Sequence, residues 1–98
     1  MVFEIAELDI KPGDEEAFEA AARMAVPLFQ RAKGFLSFDL QRTIERPNIY
    51  RLVVGWATLE DHMVHFRESS DFQEWRRLVG PHFAAPPKVE HTHSLGLA

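Results

Sequence analysis

Two strand-like segments separated by only four residues constrain this chain more than any other feature in it. Phe35 to Ile44 alternates, with Leu36, Phe38, Leu40 and Ile44 on one face and Ser37, Asp39, Gln41 and Thr43 on the other. Ile49 to Ala57 alternates again, placing Tyr50, Leu52, Val54 and Trp56 opposite Arg51, Val53 and Gly55. The connection Glu45-Arg46-Pro47-Asn48 is too short for a crossover, so the two segments must close as an antiparallel hairpin. The rest of the chain has to pack around that ribbon.

Met1 to Ile10 predicts another strand, with Phe3 and Ile5 on one face and Glu4 on the other, beside Ala6, Leu8 and Ile10. Lys11-Pro12-Gly13-Asp14 punctuates it, and Asp14 can cap a helix from Glu15 to about Ala32. Phe18, Ala21, Ala25 and Leu28 form its apolar stripe. Pro27 cannot donate to the ladder, so a kink or a second short segment is expected there. After the hairpin, Thr58 opens a helix to about Glu68, with Leu59, Met63 and Phe66 as its buried stripe. Ser70-x-x-Gln73 starts a short helix to Val79, Gly80-Pro81 stops it, and Val89 to Leu97 makes a last strand.

The order β-α-β-β-α-(α)-β predicts an α+β, ferredoxin-like domain spanning 1–98: a four-stranded antiparallel sheet with helices on one face. That plan leaves the other sheet face bare. A homodimer joined sheet to sheet is the physical expectation.

Composition narrows the chemistry. There is no cysteine, which removes disulfides, thiolate metal sites and a cysteine nucleophile. The net charge of −4 gives no electrostatic case for nucleic acid. No apolar run is long enough to span a membrane. The start Met1-Val2-Phe3-Glu4 lacks a secretory pattern, so a cytoplasmic protein is expected. The five glycines are isolated, so no phosphate-binding loop is present. Eight Phe, two Trp and five His nevertheless make a heavy ring inventory for 98 residues.

Among those rings, His62 lies on the edge of the stripe formed by Leu59, Met63 and Phe66, where its tautomer and pKa can be tuned. Trp56 closes the third strand six residues earlier and can converge with it between sheet and helices. His65 falls on the helix flank, and His82 sits in a Pro-rich loop. His91-x-His93 places two imidazoles on one strand face, without the third ligand a metal site needs. Trp75 reads as core with Phe72 and Val79.

Three strings bring a resemblance into view: Lys11-Pro12-Gly13-Asp14-Glu15-Glu16, Gly34-Phe35-Leu36-Ser37-Phe38 and Trp56-Ala57-Thr58-Leu59-Glu60-Asp61-His62. Together with Phe66-x-x-Ser69, Phe72-x-x-Trp75 and Pro86-Pro87-x-Val89-Glu90-His91, they resemble the antibiotic biosynthesis monooxygenase family, and an uncharacterised bacterial branch of it. The resemblance implies a dimeric α+β barrel of ferredoxin-like subunits. It maps the family tryptophan onto Trp56, and a polar aromatic six residues later onto His62. Haem-degrading relatives need a histidine about ten residues after the tryptophan, where this chain has Phe66, and a pocket asparagine on the first strand, where it has none.

The function expected is a monooxygenase that uses no cofactor and no metal, oxidising a phenolic or quinol-type aromatic with O2. His62 would take the phenolic proton and Trp56 would stack on the ring. Phe38, Tyr50, Phe66 and His91 would line the substrate cavity. The alternatives are a non-catalytic small-molecule binding domain, or a cofactor-free isomerase on the same scaffold.

Overall fold

A computed structural model describes residues 1–98. Four strands, β1 (Val2–Asp9), β2 (Phe35–Arg42), β3 (Ile49–Trp56) and β4 (Lys88–Thr92), form one sheet in the order β2-β3-β1-β4. Every pairing is antiparallel. Helices α1 (Glu15–Gln30) and α2 (Ser70–Val79) cover one face, with a π-helix (Asp61–Phe66) ahead of α2. The ferredoxin-like plan expected from the hairpin and its flanking helices is the plan observed. No helix is long and apolar enough to cross a membrane.

The core lies between that sheet face and the helices. β1 contributes Ala6, Leu8 and the following Ile10, and β3 contributes Tyr50, Leu52, Val54 and Trp56. α1 answers with Phe18, Ala22, Ala25, Leu28 and Phe29, a stripe displaced slightly from the expected one because Ala22, not Ala21, is sealed. α1 also runs unbroken past Pro27, whose carbonyl accepts from the Arg31 N–H at 3.2 Å. A proline near the end of a helix removes one bond there without forcing a new segment.

Two local irregularities move side chains off their expected faces. In β2 the register slips between Phe35 and Ser37. This bulge puts Phe35, rather than Leu36, with Phe38 and Leu40 against the core, and leaves Leu36 exposed. Ile44 lies beyond the strand and is also exposed. After β3, Thr58 Oγ1 accepts from the Asp61 N–H at 3.1 Å, as a cap should. The turn that follows is wound as a π-helix, and the Arg67 N–H reaches the His62 carbonyl at 3.1 Å. The i→i+5 winding turns Asp61, His62 and Phe66 inward together and leaves Leu59 and Met63 exposed. The expected stripe of Leu59, Met63 and Phe66 is therefore replaced by one containing His62.

Smaller corrections follow the same logic. Ser69, not Ser70, caps α2, accepting from the Phe72 N–H at 3.1 Å. β4 stops at Thr92, so His93 lies outside it and is exposed.

Candidate active site

The sheet register builds the site. Glu4 of β1 pairs across to His91 of β4 on one side and to Val54 of β3 on the other. Strand alternation then points Glu4 and His91 to the helix-covered face, together with Ala6 and Trp56. The π-helix drops His62 onto this row. Glu4, Trp56 and His62 are 6%, 0% and 3% exposed.

A row of close polar contacts results. Trp56 Nε1 donates to Glu4 Oε1 at 3.1 Å. His62 Nε2 lies 3.2 Å from the same oxygen, and His62 Nδ1 lies 2.7 Å from His91 Nε2. An indole nitrogen can only donate, so Oε1 is an acceptor here. Between His62 Nδ1 and His91 Nε2, one ring nitrogen donates and the other accepts. Trp56 also stacks on His62, with ring centroids 5.5 Å apart and planes inclined by 17°. The imidazole is thus fixed in orientation.

Burial sets the protonation of this group. Desolvation raises the Glu4 carboxyl from 4.5 to about 7, against the opposing pull of the Trp56 N–H and the Arg67 charge. His62 is lowered from 6.5 to about 4, first by desolvation and then by His91 and Arg67. His91 is lowered as well, by burial and then by Arg67. Near neutral pH the imidazole is uncharged, and the carboxyl titrates far above the usual carboxylate range.

Beside this row lies an open cavity of about 630 Å3. Glu4 and His62 border it, with apolar walls from Leu52, Phe72, Trp75 and Phe83 and cationic ones from Arg67 and Arg76. Glu4 Oε2 has no protein partner, yet no buried side-chain oxygen in the chain is left unsatisfied. This second oxygen is therefore the one that meets the cavity. A carboxylate of near-neutral pKa with one oxygen anchored and the other exposed to a cavity can accept a proton from a bound molecule.

Of the residues expected from the sequence, His62 borders the cavity and His91 touches His62. Trp56 lies behind His62 and is wholly enclosed, within 6.5 Å of the Phe29, Phe35 and Phe66 ring centroids. It supports the imidazole and does not present a face to the cavity. Phe66 packs beneath Trp56. Phe38 packs edge-on to Phe29, while Tyr50 is buried with its hydroxyl on the Glu19 carboxylate. Both border a separate depression near Arg23 and Glu19, and neither lines the cavity at Glu4.

The three charged residues of the cavity, Glu4, Arg67 and Arg76, are not among the site residues expected from the sequence. Glu4 carried a legible signal, because strand parity places it on the same face as Ala6, Leu8 and Ile10. Arg76 had one too, since it sits four residues after Phe72 on α2. Arg67 had none, because its position depends on the π-turn.

The family profile described as Antibiotic biosynthesis monooxygenase matches residues 1–78. An uncharacterised Bacillus subtilis protein, YczJ, is 44% identical over 91 residues, covering 93% of this chain and 96% of that protein. A crystal structure of a candidate antibiotic biosynthesis monooxygenase from Bordetella bronchiseptica is 51% identical over 96% of both chains, with a TM-score of 0.94. A counterpart from Nitrosomonas europaea is 27% identical, with a TM-score of 0.83, over 97% of this chain and 99% of that one. By its profile match and by the identity and coverage of these relatives, the chain belongs to the antibiotic biosynthesis monooxygenase family.

Proposed function

We propose that the chain is a cofactor-independent monooxygenase that oxidises a phenolic or quinol-type aromatic with O2. The observation that carries this reading is the Glu4 carboxyl, anchored by Trp56, set beside His62, and raised to about 7 at the wall of a largely apolar cavity. A phenol passes an electron to O2 readily only after it loses its proton. Glu4 Oε2 takes that proton, and His62 keeps the carboxylate oriented.

The phenolate then gives one electron to O2, and the resulting superoxide and aryloxyl radical combine at a ring carbon bearing hydrogen. A C–O bond forms, giving a peroxide anion that takes back the proton held on Glu4 and becomes a hydroperoxide. Loss of the ring hydrogen as a proton and cleavage of the O–O bond leave a carbonyl. The departing hydroxide takes up a proton and leaves as water. One oxygen atom enters the quinone, the other becomes water, and the substrate supplies all four electrons.

Oxygen uptake with a panel of hydroquinones and naphthols tests the reading. Uptake matched one to one by quinone formation, and lost in His62→Ala with the fold retained, is the expected result. Ligand-induced thermal stabilisation without uptake would identify a binding domain instead.

We also infer that the open sheet face pairs with a second copy. Phe3, Ile5 and Val53 are half-buried at its centre, ringed by Glu7, Arg51 and Lys88. Light scattering should show a dimer, and Val53→Asp should give monomers.

A further inference from the structure

We propose that the cavity takes an aromatic molecule bearing a carboxylate, and that Arg67 and Arg76 bind that carboxylate. The inference rests on the aromatic substrate proposed above and narrows its class.

Both guanidinium groups border the cavity. They flank one ring, with Arg67 Cζ 5.8 Å and Arg76 Cζ 6.0 Å from the Phe72 centroid. Neither forms an ion pair, although the chain carries an excess of acidic residues. The neighbouring arginines behave differently: Arg77 is bonded to Glu74 within α2, and Arg31 reaches across from the end of α1 to Asp71. Arg67 has only the Met63 sulfur, at 3.9 Å, and the Phe72 face.

Two unneutralised cations at an apolar wall favour a ligand whose body is apolar and whose substituent is anionic. Planar guanidinium forks match a planar carboxylate better than they match a neutral group. With the anion held there, the aromatic body covers the apolar wall and its hydroxyl is turned toward Glu4. The bound anion would also offset the Arg67 charge, which at present holds the Glu4 carboxyl down. Binding of this substrate class would therefore make Glu4 a stronger base.

Calorimetric binding of 1-hydroxy-2-naphthoate and its methyl ester to the whole protein under argon tests the proposal. The acid should bind about tenfold more tightly than the ester. In Arg67→Gln/Arg76→Gln that preference should vanish while ester binding persists, which also shows that the variant is folded. Equal binding of acid and ester to the wild type, no binding of the acid, or a preference that survives in the double variant would overturn it. No turnover occurs under argon. Failure of this preference is thus distinguishable from failure of the monooxygenase reading, which oxygen uptake decides.

Discussion

His62 Nε2 lies 3.2 Å from Glu4 Oε1, between side chains that are 4% and 7% exposed. With His62 lowered to about 4 and Glu4 raised to about 7, the ring is neutral near pH 7 and this contact is not a permanent ion pair. In the function we propose, the proton-accepting role falls to this carboxylate rather than to the histidine.

Glu4→Gln separates these roles. The amide oxygen can still accept from Trp56, but it cannot take a substrate proton. Turnover should fall about a hundredfold or more, with thermal stability undiminished. Steady-state oxygen uptake and a melting curve on the same sample check both halves.

The pH dependence of stability has a definite sign for each partner. Glu4 holds its proton more tightly in the folded state, so its contribution is complete below about 4.5 and is lost as pH rises through about 7. His62 behaves oppositely: its contribution is complete above 6.5 and is lost as pH falls through about 4. Each amounts to about 3 kcal/mol, and they largely cancel where they overlap. Trp56, Arg67 and His91 face the same pair. Urea unfolding of Glu4→Gln should gain stability over wild type as pH rises from 4.5 to 7. His62→Gln should gain over wild type as pH falls from 6.5 to 4. Difference curves that stay flat with pH would contradict this assignment.

Trp56→Phe keeps an aromatic ring under His62 and removes the indole N–H. That donor favours the ionised carboxylate, so its loss should raise the Glu4 pKa further. The acidic limb of kcat/KM should move up by about one pH unit. A limb that stays in place would mean that Glu4 is not the titrating group.

Gly34 precedes β2 at φ +78°, and a Cβ there would overlap the Asp61 carboxylate. Asp61 leads directly into His62. Gly34→Ala should destabilise the fold by about 2 kcal/mol or more and lower turnover by displacing the π-turn. Urea titration and an activity assay measure the two effects.

Much of this architecture is legible in the chain. The four-residue connection between β2 and β3 forces their pairing, and the alternation of Tyr50, Leu52, Val54 and Trp56 announces the inner sheet face. The parity of Glu4 with Ala6, Leu8 and Ile10 announces it equally, but a carboxylate in a strand ordinarily reads as surface. The site itself depends on features that no short window contains. His91 meets Glu4 only through the β1–β4 register, which is set some ninety residues apart in sequence. The inward turn of His62 comes from i→i+5 bonding, and the exposure of Leu36 comes from a bulge. Both are local departures from regular periodicity, and periodicity is what sequence reasoning uses. Trp56 shows the other limit. The six-residue spacing brings it toward His62, but its enclosure by Phe29, Phe35 and Phe66 is a matter of packing in three dimensions.

The most direct test of the central claim is turnover under 18O2 by chelator-treated protein, with 1-hydroxy-2-naphthoate among the phenols supplied. The expected result is one labelled oxygen in the quinone and one in water, with Glu4→Gln giving almost none of either. Quinone formed without label, or label incorporated equally by wild type and Glu4→Gln, would contradict it.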